Sequence, residues 1–124
     1  MKSVVVIDDD IDVLDVIVFA LQSDGFDVQS YSNGKLGLEG LLNTPRESLP
    51  GLIIVDYLMP EMDGLTFIKE ISSNHKELLG GIPLALSSAM GTVNPDVDCK
   101  NELIHLHKPM DLDDLLNVVR KYCS

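Results

Sequence analysis

Short apolar runs rich in β-branched residues alternate along the chain with longer stretches whose apolar residues recur at helical spacing. Val4–Ile7, Leu52–Val55, Leu84–Ser87 and Leu103–Leu106 are mainly continuous apolar runs, the pattern of strands buried on both faces of a parallel sheet. Asp27–Ser30 is short and polar, which suits an edge strand. Between Asp12 and Ser23 the residues Leu14, Ile17, Val18 and Leu21 form one helical stripe, and Gly25 stands just beyond as a stop. Asn33 is placed to cap a second helix, which Gly37 and Gly40 weaken intrinsically. A third helix runs from Gly64 to Ser73, with Leu65, Ile68 and Ile71 on one stripe. The last begins at Asp111, a good N-cap, and offers Leu112, Leu115, Leu116 and Val119 to a core. The stretch Ala89–Glu102 contains Gly91, Asn94 and Pro95, so the fourth helix there is expected to be short or irregular. This alternation predicts one three-layer α/β domain over residues 1–124, with right-handed crossovers placing helices on both faces of a parallel sheet.

Composition narrows the function. At 124 residues with 45% hydrophobic and 23% charged residues, ordinary globular folding is expected. Twenty acids against nine bases leave a net charge of −11, which argues against direct nucleic-acid binding, since that needs clustered Lys and Arg. No segment approaches the ~20 apolar residues of a membrane span, and Val4–Ile7 is too short for a signal peptide. The two cysteines, Cys99 and Cys123, match neither a disulfide framework nor a CxxC motif. The expectation is a reduced, cytoplasmic domain with no membrane contact.

In parallel α/β sheets the ligand site lies beyond the carboxyl ends of the strands. There the chain places Asp8-Asp9-Asp10, Asp56, Ser88 and Lys108-Pro109, after the first, third, fourth and fifth strands. Like carboxylates packed at ~5 Å repel by roughly 3 kcal/mol per pair at an effective dielectric of ~20. A hard divalent cation such as Mg²⁺ relieves that repulsion and keeps open positions for phosphate oxygens. With a hydroxyl and a lysine nearby, such a site stabilises a transferring phosphoryl group, and Asp56 would be the nucleophile. Each feature alone has a plainer explanation. Asp10 or Asp12 can cap the following helix, a serine after a strand often turns the chain, and Lys-Pro is common in loops. Their occurrence together, at four strand ends, favours the site.

The residues Val4-Val5-Val6-Ile7-Asp8-Asp9-Asp10, Val55-Asp56-Tyr57-Leu58-Met59-Pro60-Glu61-Met62-Asp63-Gly64, Pro83-Leu84-Ala85-Leu86-Ser87-Ser88-Ala89 and His107-Lys108-Pro109 carry a resemblance. Over essentially its whole length the chain resembles the receiver domain of two-component response regulators. The resemblance implies a flavodoxin-like (βα)5 fold, doubly wound, with strand order 2-1-3-4-5. It implies that Asp56 is the phosphoacceptor, that Asp8 and Asp9 hold Mg²⁺ with Asp56, and that the Leu58 backbone carbonyl completes the metal site. Ser88 matches the hydroxyl that contacts the phosphoryl group when the switch engages; Ser87 is the neighbouring alternative, set aside because Ala89 follows Ser88. Lys108 matches the phosphate-facing lysine, with a cis bond to Pro109. Asp10 is left as a helix cap or supporting acid, and Met59, Pro60 and Gly64 as scaffold.

Two positions depart from the family pattern. His105 stands where an aromatic switch residue is common, and reads equally as a switch or as a plain edge-strand histidine. The stretch 89–102 lacks the usual Ala-rich helix. Apolar Leu58 and Met90, two places after Asp56 and Ser88, predict a persistent phosphoryl state. The implied partners are a sensor histidine kinase or phosphotransfer protein upstream and an effector protein or output domain downstream, with a homodimer allowed. The chain reads as a phosphorylation-controlled switch, which assists its own phosphorylation and dephosphorylation but does not turn over a substrate. A dehalogenase-type phosphatase would use Asp8-x-Asp10 but leaves Asp56, Ser88 and Lys108 unexplained. A flavodoxin electron carrier needs a hydroxyl-rich loop where three acids stand. An EF-hand fails because Val13 and Phe19 occupy its Gly and Glu positions.

Overall fold

The computed structural model describes residues 3–57, 62–88, 101–107 and 111–123, with Lys76 described for its backbone alone. Five strands, β1 (Ser3–Ile7), β2 (Asp27–Tyr31), β3 (Leu52–Asp56), β4 (Leu84–Ser88) and β5 (Leu103–His107), form one sheet in the order β2-β1-β3-β4-β5. All neighbouring pairs are parallel and in register. The helices are α1 (Ile11–Ser23), α2 (Gly34–Leu42), α3 (Gly64–Asn74), α4 (the single turn Lys76–Leu79) and α5 (Leu112–Cys123). This is the expected three-layer arrangement and strand order. The expectation of a short fourth helix between β4 and β5 concerns Ala89–Glu102, of which residues 89–100 lie outside the described residues.

Each strand is one residue longer than the segment expected from the sequence. At β3 and β4 the added residues are Asp56 and Ser88. Backbone pairing there continues past the point where hydropathy stops, since the ladder is made by main-chain groups, and this holds both side chains at the carboxyl end of the sheet.

Alternation along the strands divides the interior into two cores. Val4, Val6, Ile54, Ala85 and Leu106 pack under α1 and α5 with Leu14, Ile17, Leu21, Leu115 and Val119. Val5, Ile7, Ile53, Val55, Leu84 and Leu86 pack under α2 and α3 with Leu38, Leu41, Phe67, Ile68 and Ile71. β1, β3 and β4 are buried on both faces, as their apolar runs predict. β5 is not: it is the outer strand, and of its residues only Leu106 is buried. Leu112, expected in the core, is 40% exposed, since the stripe facing the sheet runs through Leu115, Val119 and Cys123.

The caps follow from side-chain chemistry. Asp10, rather than Asp12, caps α1, accepting from the backbone N–H of Asp12 and Val13. Asn33 and Asp63 cap α2 and α3 through the N–H of Leu36 and Thr66, and Asp111 accepts from Asp113 at the start of α5. Gly37 and Gly40, which look like flaws in a helix, are packing requirements. A methyl group on either would run into the side chain of Ile7 or the ring of Tyr31, so the helix propensity given up is returned as close approach to the sheet.

The last turn of α5 is fastened to the start of the sheet. Cys123 is fully buried, its thiol donates to the Ser3 carbonyl at 3.6 Å, and Arg120 forks onto Asp24 at the end of α1 at 2.8 and 2.9 Å. Burial pushes the Cys123 thiol up to about 11. The native state therefore holds this proton more tightly than the unfolded chain. Its contribution to stability is complete below the ordinary thiol value and is lost as pH rises through 11. In a Cys99→Ser background at pH 8, Cys123 is expected to react with a thiol reagent about 100-fold more slowly when native than in denaturant, from thiolate fraction alone. Equal rates would show that the end of α5 does not close over β1.

Candidate functional site

The acidic residues meet at the carboxyl rim of the sheet. Asp8 directly follows β1, where its N–H donates to the Tyr31 carbonyl at 3.1 Å and so continues the ladder. Its Oδ1 accepts from the Asp10 N–H at 2.9 Å, and the side chain is buried. Asp10 is turned to its capping role, leaving Asp9 as the exposed member of the triplet that joins the cluster. Asp56, last residue of β3, is also buried. Asp8, Asp9 and Asp56 each present a carboxylate oxygen, and all three oxygens lie within 4.8 Å of one another.

β4 delivers two serines. Ser87 stands opposite Asp56 on β3, and Ser88 stands opposite His107 on β5; both are buried. The two project to opposite faces of the sheet. Ser88 shares the face of Leu86 and His105, the face packed by α2 and α3. His105 is half-buried and, with His107, Asp111, Asp114 and Asn117, borders a cleft between β5 and the start of α5.

Tyr57 ties the rim to the next helix. Its N–H donates to the Ser87 carbonyl at 2.9 Å, and its carbonyl accepts from the Gly64 N–H at 2.8 Å. That role is carried by its backbone and leaves no signal in residue type. The calls on Leu58, Met59, Pro60, Met90, Lys108 and Pro109 lie outside the described residues.

Three carboxylate oxygens in this space, two of the side chains buried, fit a hard divalent cation, which takes oxygen ligands and offsets their mutual repulsion. They fit a softer metal less well, with no thiolate or imidazole in the cluster.

A doubly wound sheet with an acidic rim and a terminal serine can host phosphoryl transfer to a carboxylate. A family model described as the response regulator receiver domain matches residues 4–120. The response regulator receiver protein CpdR of Brucella abortus is 31% identical over 121 residues, 98% of this chain and 96% of that one. The transcriptional regulatory protein ZraR of Escherichia coli (strain K12) is 32% identical over 120 residues, covering 95% of this chain but 25% of its own length. Among solved structures, a CheY-like receiver domain protein from Methanospirillum hungatei superposes with a TM-score of 0.81 at 24% identity, covering 99% of this chain and 95% of that one. Vibrio cholerae CheY4 gives 0.80 at 21% identity, covering 98% of each chain. The chain belongs to the response regulator receiver domain family of two-component systems. Membership brings with it a histidine kinase partner and a role as a signalling switch. Among the described residues, no helix is long and apolar enough to cross a membrane.

Proposed function

We propose that the whole chain, residues 1–124, acts as one receiver domain with Asp56 as its phosphoacceptor. The observation that carries this reading is the meeting of Asp8, Asp9 and Asp56 oxygens, from two separate chain segments, at the rim that also holds Ser88. A carboxylate oxygen of Asp56 attacks the phosphorus of a kinase phosphohistidine. The P–O bond forms as the P–N bond breaks, and the imidazole leaves with the electron pair and takes up a proton. Asp8 and Asp9, with Asp56 and, as the resemblance implies, the backbone carbonyl of Leu58, would hold Mg²⁺, which would supply charge neutralisation for phosphoryl transfer. Lys108 adds positive charge from the β5 side, and Ser88 donates to a phosphoryl oxygen.

Ser88 and His105 project to one face of the sheet, so an inward movement of Ser88 vacates space that His105 can enter. The loaded state is favoured by contacts the unloaded state lacks, which makes the domain a switch rather than a turnover enzyme. It acts in the cytoplasm on an effector protein or an output domain.

The test is incubation with acetyl phosphate, in Mg²⁺ or in excess chelator, followed by intact mass measurement after acid quench. A gain of one phosphoryl group in Mg²⁺ and little or none in chelator is expected. No gain in Mg²⁺ overturns the function, and equal gain in both overturns the metal.

A further inference from the structure

Ser87 is 1% exposed, yet its Oγ has no hydrogen-bond partner among the described residues. A buried hydroxyl left in that condition is destabilising, because it has given up its hydrogen bonds to water and gained none in return. Among the described residues, nothing in the packing around Ser87 calls for a hydroxyl. Ala85, two residues earlier on the same face of β4, sits in the apolar core under α1 and α5 with an ordinary aliphatic group.

The register shows what lies beside it. Ser87 is the partner of Asp56 on β3 and of Leu106 on β5. Asp56 follows Ile54 on the α1–α5 face, and Asp8 follows Val6 on that face one residue beyond the pairing of Ile7 with Val55. Asp8, Asp56 and Ser87 therefore form one row across three adjacent strands, on the same side of the sheet. Strands in such a row lie ~4.8 Å apart, about the reach from a serine hydroxyl to a group attached to the neighbouring carboxylate. Ser88 belongs to the other side, with Leu86 and His105.

We infer that Ser87 is a second phosphoryl-facing hydroxyl, donating to an oxygen of the phosphorylated Asp56 from the side opposite Ser88. This rests on the reading of Asp56 as phosphoacceptor. A phosphoryl group brings three strong acceptor oxygens to a place where a buried donor stands unmatched. The contact exists in the loaded state alone, so the penalty of the unmatched hydroxyl in the free domain becomes a bias toward the loaded one. The two consecutive serines thus bracket the phosphoryl group. Ser88 lies on the α2–α3 side with His105, while Ser87 lies in the row of acids.

Thermal unfolding of the wild type, Ser87→Ala and Ser88→Ala, titrated with beryllofluoride in Mg²⁺, tests this. Without the probe, Ser87→Ala is expected to unfold at the wild-type temperature or above, because an unmatched hydroxyl has been removed. The beryllofluoride concentration giving the half-maximal shift is expected to rise roughly tenfold, as for loss of one hydrogen bond to a charged group. A half-maximal concentration equal to wild type overturns the inference, as does a lowered unfolding temperature without the probe, which would mark Ser87 as structural. If the wild type itself shows no shift, the phosphoacceptor reading fails and the inference with it. A shift that Ser88→Ala weakens and Ser87→Ala does not leaves that reading standing and removes the inference alone.

Discussion

Asp56→Asn is expected to abolish phosphoryl uptake from acetyl phosphate while leaving the domain at least as stable as the parent. The amide matches the carboxylate in size, so the end of β3 and its pairing with β4 are kept. A neutral amide oxygen is a poor nucleophile toward phosphorus, and no acylphosphate can form. The change also removes one charge from a cluster whose oxygens lie within 4.8 Å, where each like pair repels by roughly 3 kcal/mol or more at an effective dielectric of about 20. In chelator, the variant should therefore melt at or above the wild-type temperature. Added Mg²⁺ should stabilise it less than wild type, because one carboxylate ligand is gone. Intact mass and thermal melts, with and without Mg²⁺, check both halves. Uptake persisting in the variant would place the acceptor elsewhere; a large loss of stability would mean that Asp56 is held by the fold for structural reasons.

Phe67→Ala should be the most damaging single truncation among the described core residues, at about 3–5 kcal/mol. Phe67 is 0% exposed and is the largest fully buried side chain. It sits on α3 in the core beneath α2, among Ile7, Val55 and Leu86. Removing its ring leaves a cavity that the in-register strands cannot close by shifting, since one strand cannot slide without breaking the pairing on both sides. A domain of ordinary stability, ~5–15 kcal/mol, would lose a large share of it, and the unfolding midpoint should fall by roughly 10–20 °C. Denaturant titration measures the loss. A drop below about 1 kcal/mol would show that the α3 side of the core repacks freely.

Much of this was legible in the residues, for identifiable reasons. β1, β3 and β4 announce themselves because burial on both faces leaves no polar position inside the run. β5 looks the same in the sequence, but hydropathy does not distinguish an inner strand from an outer one, and only the pairing order exposes its half-buried state. Asp8, Asp9 and Asp56 were readable because charge clustered at strand ends has few uses. The division between Asp9 and Asp10 was settled by backbone geometry, with Asp10 spent on the N–H groups of α1. Gly37 and Gly40 misled in the opposite direction: propensity counts their effect on the helix alone, while the reason for them lies across the interface at Ile7 and Tyr31. Ser87 was hidden by its neighbour. The register that singles out Ser88 sets Ser87 aside as a mere alternative, whereas the alternation of a paired strand sends the two to different sides.

The fastening of Cys123 to Ser3 also decides where anything joined to this domain would stand. α5 begins beside the acidic rim and finishes at the opposite end of the strands, at the residue where β1 starts. Both ends of the described chain thus emerge on the underside, about 17 Å from the carboxylates, the length of a five-residue strand. A tag, fluorophore or tethered domain attached at either end would hang from the foot of the sheet, leaving the rim open to a docking kinase. Such attachments stand a full strand length from the rim, so a reporter meant to sense phosphorylation belongs at the upper end of α5.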